Sequence, residues 1–484
     1  MSIITQINLL KKRRTKIIAT LGPASSEPDQ IRKLINAGVN IFRQNMSHGD
    51  HDYHAKTYKL IREIADDLKQ PIGILADLCG PKIRTGKFKT GSIELENNST
   101  VTVTTRDVEG KPGLIPSQYS ALANDVEPGD RILLADGTLE LEVDKVEDTE
   151  IKCTVIYGGT LGNHKGINLP GVNVSAPSLT DKDKVDAQFA LDLGVDFLAL
   201  SFVRSASDII ELRELIEAHE HNAHIIAKIE KPEALDDATS ILDVSDGIMV
   251  ARGDLGVELN PEQVPVAQHQ LIDLARKKFK PVIVATQMLE SMIENARPTR
   301  AEVTDVAYAV TLGTDAIMLS GETAVGAFPI DAVRMMDRIA RQTESYLWSQ
   351  HAYGAKVPEK SSSIAVPIWD AVANSMAQLA QDLKVSAVVV ISQSGMSAAT
   401  MTSARPAAPV VAITGSKAVC RKLALLWSAI PVHSENAGKT NPNELARQVV
   451  IDEGLAYGGE KVLLIRGFHG ETALNTPSVT VITI

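Results

Sequence analysis

The chain has 484 residues, of which 44% are hydrophobic and 23% charged, proportions typical of a soluble globular protein with more than one domain. Its formal net charge of −11 argues against a general role on nucleic acid or on anionic membranes. Three cysteines make no disulfide framework, which predicts a reducing, cytoplasmic setting. No apolar run reaches the roughly 18 residues that a membrane span needs.

Eight short apolar runs recur along the chain and alternate with amphipathic stretches such as 264–279 and 300–312. Near-continuous apolar runs are typical of parallel strands that are buried on both faces. Eight strand–helix units predict an α/β fold of the (β/α)₈ TIM barrel type, which we place at residues 1–79 and 174–350. The predicted strands are 16–22, 40–47, 71–78, 197–202, 224–230, 247–253, 281–287 and 316–321.

The barrel pattern is interrupted after its third strand. Residues 80–173 alternate Val, Thr, Ile and Leu with turn signals, and the Asp136-Gly137 pair between apolar runs at 131–143 predicts a β-hairpin. We therefore predict a small inserted β-barrel domain at 80–173, in the position of a lid over the barrel.

A third unit follows a linker near 354–363 that is rich in Gly, Pro, Lys and Ser. Its strand-like runs alternate with helical stretches, and they lie at 385–392, 409–414, 461–467 and 478–484. This pattern predicts a C-terminal α/β open-sheet domain over residues 355–484.

Polar residues are concentrated at the C-terminal ends of the predicted barrel strands, where the active sites of such barrels form. Alone, each is typical of a structural ion pair, a solvated loop or a helix cap. Suitable groups at five of the eight strand ends together indicate an active site. The set consists of Arg43, Asn45 and Ser47 on the second strand, Lys228 and Glu230 on the fifth, Asp254 after the sixth, Thr286 on the seventh, and Ser320 and Glu322 on the eighth.

The residue types indicate the chemistry of this set. Glu230 and Asp254 supply hard carboxylate oxygens that suit Mg²⁺, with Mn²⁺ as a substitute, and no His or Cys spacing suits structural zinc. Lys228 and Arg43 add positive charge beside the metal, a combination that stabilises a transferring phosphoryl group or an enolate. We expect residues 255–258 to begin a short helix, whose free N–H groups, together with that of Gly253, would hold a carboxylate or phosphate. No G-x-x-x-x-G-K-[ST] pattern is present for nucleotide phosphates.

Several longer strings run through the barrel and the insertion. They are RQNMSHG at 43–49, GPKIRTG at 80–86, KGINLPG at 165–171, KIE at 228–230, ARGDLG at 251–256, ATQMLESM at 285–292, RPTRAE at 297–302 and LSGETA at 319–324. In these strings and in their order the chain resembles the pyruvate kinase family. The resemblance implies transfer of a phosphoryl group from phosphoenolpyruvate to ADP, giving pyruvate and ATP at the last step of glycolysis.

The resemblance implies roles for the matching residues. Arg43 would bind the phosphoryl group, and Lys228 would stabilise charge on the phosphoryl and enolate oxygens. Glu230 and Asp254 would hold the divalent ion. The substrate carboxylate would lie against Gly253, Asp254 and Thr286.

Other matching residues are implied in nucleotide binding and proton transfer. The nucleotide would face Asn45, His48, Arg84 and Lys165, the last of them from the lid. Ser320 and Glu322, together with Thr286, would take part in a water-linked path that protonates the enolate.

A departure from the family concerns K⁺. Many members need this ion, held by groups that match Asn45, Ser47, Asp77 and Leu78, with a Glu at the position of Lys82. A lysine ammonium is a compact positive charge. We hypothesise that Lys82 supplies the charge that K⁺ supplies elsewhere, so that K⁺ is not required. The alternative is a solvated loop lysine.

A loop in the third unit has the residue types of a phosphate site. Ser392, Ser394, Gly395 and Ser397 follow a predicted strand and precede a helical stretch, where hydroxyls and a Gly suit phosphate binding. The matching loop of the family binds a phosphorylated effector, so we predict an allosteric sugar phosphate or nucleotide. Met396 stands where some members have a basic residue, and an ordinary capped turn is the alternative. The resemblance also implies a homotetramer.

Two other functions are compatible with parts of the pattern. A metal-dependent barrel enzyme acting on pyruvate or its enolate, such as a class II aldolase or lyase, shares the carboxylate–metal chemistry but needs neither lid nor nucleotide. A metabolite sensor needs only the C-terminal domain. The intact set of Lys228, Glu230, Asp254 and Thr286 argues against the sensor.

Overall fold

The N-terminal elements form the first part of a barrel. The computed structural model describes residue 10 and residues 12–350, 367–468 and 475–484, so the linker predicted at 354–363 lies outside the described residues. The first elements are β1 (Lys16–Thr20), α1 (Pro28–Ala37), β2 (Ile41–Asn45), α2 (His51–Asp67) and β3 (Gly73–Asp77).

A β-rich insertion follows β3. Its elements are β4 (Ser92–Leu95), β5 (Thr100–Thr104), β6 (Leu114–Pro116), α3 (Leu122–Asp125), β7 (Arg131–Leu134), β8 (Leu139–Glu147), β9 (Glu150–Tyr157), β10 (Gly159–Gly162) and β11 (Ile167–Asn168). The strands form a six-stranded sheet and a two-stranded sheet. Ile93 and Leu161 of the smaller sheet pack in one apolar core with Leu141 and Val155 of the larger one. The predicted hairpin is confirmed as β7–β8, with Asp136 and Gly137 at positive φ in its turn.

The remaining barrel elements follow the insertion. They are α4 (Asp181–Leu193), β12 (Phe197–Leu200), α5 (Ala206–Ala218), β13 (His224–Ile229), α6 (Pro232–Asp236), α7 (Ala238–Val244), β14 (Gly247–Ala251), α8 (Arg252–Glu258), α9 (Val264–Lys277), β15 (Val282–Ala285), α10 (Arg300–Leu312), β16 (Ala316–Leu319), α11 (Gly321–Ala324) and α12 (Pro329–Ser349). Short 3₁₀ turns lie at Pro261–Gln263 and Glu290–Ile293.

Eight parallel strands close into the predicted barrel, in the order β1-β16-β15-β14-β13-β12-β3-β2. Their apolar side chains point alternately into the barrel and toward the surrounding helices, which explains why the runs are almost continuously apolar. The predicted sixth strand extends two residues too far, because α8 already begins at Arg252. The predicted helix at 300–312 is confirmed as α10, which a Thr299/Glu302 capping box begins and Gly313 at φ 82° ends.

The C-terminal elements form the predicted open α/β sheet. They are α13 (Ile368–Asp382), β17 (Ala387–Ile391), α14 (Met396–Ser403), β18 (Val410–Thr414), α15 (Lys417–Leu423), β19 (Ala429–His433), α16 (Pro442–Asp452), β20 (Lys461–Arg466) and β21 (Ser478–Thr483). The sheet order is β19-β18-β17-β20-β21. The edge strand β19 was not predicted from the sequence, because it contains Pro431 and proline weakens the strand signal.

The C-terminal domain packs against the end of the barrel where its strands begin. Leu425 is buried within the apolar cluster that fills the barrel interior. The Arg405 guanidinium donates to Asp315 Oδ2 at 2.8 Å, and both side chains are buried. Lys16 Nζ of the first strand donates to the Ala429 carbonyl at 2.6 Å.

No helix in the described part of the chain is long and apolar enough to cross a bilayer. The exact residues at which the three domains begin and end stay a prediction.

Substitution of Arg405 by Met is expected to lower the free energy of unfolding by about 3–5 kcal/mol, because it leaves the buried Asp315 carboxylate without its cation. Urea unfolding followed by circular dichroism measures the loss. The matched control is Arg334→Met, which removes an exposed ion pair with Asp331 and is expected to cost less than about 1 kcal/mol. Equal losses in both variants would contradict the role of the buried pair.

Candidate active site

The closed barrel brings the predicted polar residues to one mouth. The register of β2 and β3 places Asn45 opposite Asp77, and the register of β13 and β14 places Lys228 opposite Met249. Asp254 lies in α8, directly after β14, and Thr286 directly follows β15. Because all eight strands are parallel, their C-terminal ends share this side of the barrel.

Lys228 is the centre of a buried charge cluster. Its Nζ lies 2.9 Å from Glu230 Oε1 and 3.3 Å from Asp77 Oδ1, and it donates to Ser201 Oγ at 2.6 Å. Arg43 Nε contacts the other oxygen of Asp77 at 2.6 Å. The side chains of Lys228, Asp77 and Glu230 are 12%, 1% and 1% exposed. Asp77 therefore holds both cations, Lys228 and Arg43, at the mouth.

The charge cluster fixes the protonation of its members. Burial lowers the pKa of Lys228, but the charges of Asp77 and Glu230 outweigh it and raise that pKa overall. Burial raises the pKa of Asp77, but Lys228 and Arg43 outweigh it and lower that pKa overall. Lys228 is thus a permanent cation and Asp77 a permanent anion at neutral pH.

Glu230 and Asp254 are the two carboxylates available to a divalent metal. Burial and the nearby charge of Asp254 raise the pKa of Glu230. A cation shared by the two carboxylates would remove this repulsion, so the donor set fits a hard divalent ion. No group of three or more His, Cys, Asp or Glu side chains suited to a metal occurs among residues 12–350, 367–468 and 475–484. Two carboxylates form a donor set that suits a hard divalent cation, whose other positions are left to water and substrate.

The loop after β15 holds Thr286 in a strained conformation. Thr286 and Gln287 have φ values of 71° and 51°, a region that non-glycine residues rarely adopt. Thr286 Oγ1 accepts a hydrogen bond from the Gly253 N–H at 2.7 Å, and Arg252 donates to the Thr286 carbonyl at 2.7 Å. Arg252 is anchored in turn by Asp305 at 2.6 Å. The N–H of Gly253, which we expected to be free for substrate, therefore donates to Thr286.

The lid and the barrel enclose a cleft of about 390 Å³. Its walls include His48, Lys82, Arg84 and Lys165 together with Asp254 of the barrel. Burial and the charges of Lys82, Arg84 and Arg43 lower the pKa of His48, so its imidazole is neutral at neutral pH. The cleft is rich in positive charge, as an anionic nucleotide requires.

The residues predicted for a proton path and for K⁺ lie at the same mouth. Both oxygens of the buried Glu322 carboxylate accept backbone N–H groups, those of Ser320 at 2.7 Å and Leu289 at 3.0 Å. Glu322 therefore fixes two loops, and its part in proton transfer stays a prediction.

In the K⁺ region, Asn45 accepts a hydrogen bond from the Ser47 N–H, and the carbonyl of the buried Leu78 accepts one from Ser201. Exposed Lys82 forms no ion pair with Asp77 among the described residues, and its role also stays a prediction.

Three residues at the site were not predicted from the sequence. Ser201 links Lys228 to the Leu78 carbonyl, and no pattern identifies a single serine after β12. Lys231 and Glu258 form a buried ion pair at 2.7 Å beside Asn168 of the lid. The nearness of both residues to the site could be predicted, because Lys231 follows Glu230 directly and Glu258 lies one helical turn beyond Asp254, whereas their pairing could not.

Comparisons with known proteins match both the barrel and the C-terminal domain to one family. The family model for the pyruvate kinase barrel domain matches residues 12–333, and the model for the pyruvate kinase alpha/beta domain matches residues 370–482. Pyruvate kinase 2 of Synechocystis sp. is 47% identical over 471 residues, which cover 96% of this chain and 78% of the relative. Pyruvate kinase of Geobacillus stearothermophilus is 44% identical over 469 residues, which cover 95% of this chain and 79% of the relative.

A solved structure extends the agreement to three dimensions. The crystal structure of a pyruvate kinase from Cryptosporidium parvum matches with a TM-score of 0.87 and 37% identity, and the match covers 98% of both chains. The comparisons thus support a phosphotransferase and not the aldolase-like enzyme or the sensor. The chain belongs to the pyruvate kinase family.

Proposed function

We propose that the barrel mouth transfers the phosphoryl group of phosphoenolpyruvate to ADP around Lys228. The observation that carries the proposal is the buried, permanently charged ammonium of Lys228 between Asp77 and Glu230. A fixed cation in a site shielded from water stabilises negative charge that develops on phosphoryl and enolate oxygens. Arg43, held by Asp77, is positioned to bind the phosphoryl group from the second strand.

In this proposal the remaining residues bind and orient the substrates. Glu230 and Asp254 hold Mg²⁺ or Mn²⁺, which supplies further stabilisation of the phosphoryl charge when bound. The N–H groups of Gly253 and Asp254 and the Thr286 hydroxyl hold the substrate carboxylate, and the arrangement requires Thr286 to exchange its bond to the Gly253 N–H for one to substrate. Neutral His48, with Arg84 and Lys165, lines the cleft beneath the lid and faces the nucleotide there. Asn45 does not line this cleft, and its part in nucleotide binding rests on the family resemblance.

Pyruvate formation tests the proposal directly. The full chain is mixed with phosphoenolpyruvate and Mg²⁺ in a K⁺-free tetramethylammonium buffer, with and without ADP. Pyruvate that forms only with ADP is the expected result. Pyruvate formed at the same rate without ADP, or no pyruvate with KCl and sugar phosphates added, would overturn it.

The proposed independence from K⁺ has its own test at Lys82. The wild type is expected to gain less than about twofold in kcat from KCl, whereas Lys82→Glu is expected to gain about tenfold, because a carboxylate in place of an ammonium restores the demand for a cation. Rates in tetramethylammonium and potassium buffers measure the ratio. Lys87→Glu, an exposed lysine outside the cleft, is the matched control. Strong K⁺ activation of the wild type would eliminate the hypothesis.

We also propose a phosphorylated effector at the loop before α14. In the structure Ser392 Oγ accepts from the Gly395 N–H at 3.0 Å and Ser394 Oγ from the Met396 N–H at 3.4 Å. The loop hydroxyls thus occupy N–H groups that a phosphate would take over. A sugar phosphate or AMP is expected to shift the half-saturating phosphoenolpyruvate concentration by about fivefold or more, and Ser392→Ala is expected to weaken this shift. An unchanged saturation curve would eliminate the regulatory proposal.

The assembly and location of the enzyme are further parts of the proposal. The family resemblance supports a homotetramer, which sedimentation of the full chain tests. A cytoplasmic location is supported by three cysteines that form no disulfide framework.

A further inference from the structure

The loop after β12 contains a strained residue whose N–H faces a carboxylate of the active site. Phe202 has a φ of 53°, in the left-handed region, which bulky side chains rarely adopt. Its main-chain N–H donates to Glu230 Oε2 at 2.7 Å. The other carboxylate oxygen, Glu230 Oε1, lies 2.9 Å from Lys228 Nζ. Phe202 and Lys228 therefore fix both oxygens of Glu230.

The place of Phe202 in the fold does not explain its backbone conformation. A second phenylalanine, Phe279, also has a positive φ, of 56°, but it follows the C-terminal end of α9, and its N–H donates to the Arg276 carbonyl at 3.2 Å. A left-handed residue is a common way for a helix to end. Phe202 instead lies two residues beyond the end of a barrel strand. Strain of this kind persists only where the surroundings impose it, and it is concentrated at functional sites.

The neighbours of Phe202 impose its strained conformation. The Phe202 carbonyl accepts a hydrogen bond from the buried Ser178 Oγ at 2.8 Å. Its ring packs against Gly80, where an added Cβ would lie 2.8 Å from Phe202 Cδ2. The preceding residue, Ser201, donates to the Leu78 carbonyl at 2.7 Å. These contacts come from both segments that connect the barrel to the inserted sheets, so the loop is held from two directions.

We propose that Phe202 is a positioning residue that orients the Glu230 carboxylate toward the divalent metal. Because the donor is a main-chain N–H, its direction depends on the φ of Phe202 and not on the chemistry of the ring. A negative φ would turn this N–H away from Glu230 Oε2. Only Lys228, which competes with the metal for the same negative charge, would then hold the carboxylate. The inference rests on the metal site of the proposed function.

Two substitutions of Phe202 separate its backbone conformation from its packing. Both Phe202→Val and Phe202→Asn remove the ring, but valine strongly disfavours a positive φ, whereas asparagine tolerates it. Phe202→Val is expected to weaken Mn²⁺ binding at least about tenfold and Phe202→Asn less than about threefold, since loss of a hydrogen bond that orients a ligating carboxylate typically costs tenfold or more. Electron paramagnetic resonance of free Mn²⁺, with the full chain and without substrates, measures the affinity. A role in apolar packing alone predicts the reverse order, because valine keeps the apolar character.

Phe279→Val is the matched control, because it places the same β-branched side chain at a positive φ on the other side of the barrel, before β15. Its thermal midpoint is expected to fall about as far as that of Phe202→Val, while its Mn²⁺ affinity stays unchanged. Ser178→Ala, which removes the hydrogen bond to the Phe202 carbonyl, is expected to weaken Mn²⁺ binding about threefold. This variant introduces no strain, so it tests the inference even if Phe202→Val does not fold.

The contrary outcomes distinguish this inference from the proposed function. Wild-type Mn²⁺ affinity in both Phe202→Val and Ser178→Ala, or tighter binding by Phe202→Val than by Phe202→Asn, would overturn the positioning role. Glu230→Gln is measured beside these variants. If Glu230→Gln weakens Mn²⁺ binding and the variants of Phe202 and Ser178 do not, the metal site stands and the positioning role is wrong. If Glu230→Gln leaves the affinity unchanged, the metal site itself is wrong and this inference fails with it.

Discussion

Replacement of Lys228 by Met is expected to lower kcat by about 1000-fold, the loss typical when one preorganised charge-stabilising group is removed. The Michaelis constant for phosphoenolpyruvate is expected to change far less, because the interaction is strongest in the transition state. Lys228 is suited to this role since its position is fixed on three sides, by Asp77, Glu230 and Ser201. Steady-state rates at saturating Mg²⁺ and ADP measure the effect.

A loss of stability must be separated from a loss of catalysis at Lys228. The Met variant leaves Asp77 and Glu230 without their shared cation, which is expected to cost about 3–5 kcal/mol of unfolding free energy in the metal-free enzyme. Lys228→Arg keeps the charge but not the geometry, so it is expected to recover much of the stability and little of kcat. Lys184→Met, which removes a surface pair with Glu211, is the control. A kcat within about threefold of the wild type in Lys228→Met would contradict the catalytic role.

Replacement of Glu230 by Gln is expected to weaken Mn²⁺ binding at least about 100-fold, because the change removes one of two carboxylates while keeping the shape of the side chain. Free Mn²⁺, counted by electron paramagnetic resonance without substrates, measures the affinity independently of turnover. The phosphotransfer rate at fixed Mg²⁺ is expected to fall in parallel.

The control for Glu230 is Glu262→Gln, an exposed carboxylate eight residues beyond Asp254. It is expected to leave Mn²⁺ affinity unchanged. If Glu230→Gln bound Mn²⁺ as tightly as the wild type, the metal would have to be held elsewhere. The repulsion between Glu230 and Asp254 would then need another explanation.

The sequence predicted the barrel well because both signals that define it are local. Apolar runs such as Ile17 to Ala19 are buried throughout, and the strand-end positions of Lys228, Asp254 and Thr286 follow from chain direction alone. The curled insertion and the open C-terminal sheet were predicted from the same alternation of runs and turns.

The contacts between distant elements were not predictable from these patterns. Asp77 was assigned to a K⁺ region by resemblance, yet the structure places it between Arg43 and Lys228, a consequence of barrel closure. The pairing of Lys231 with Glu258 depends on how α8 is oriented after β14. Periodicity identifies which residues face a core, but it does not identify their partners across elements.

The packing of the C-terminal domain into the base of the barrel has a consequence for the order of events during synthesis. Lys16 of the first strand contacts Ala429, and Leu425 completes the cluster inside the barrel. Ribosomes add about 5–20 residues each second, so roughly 20–80 seconds separate the appearance of Lys16 from that of Ala429. Arg405 follows Asp315 by 90 residues, so for roughly 5–20 seconds at the end of this interval the nascent barrel exposes Asp315 and the apolar end of its core without their native cover. The nascent chain is therefore expected to rely on chaperones until most of it has been made.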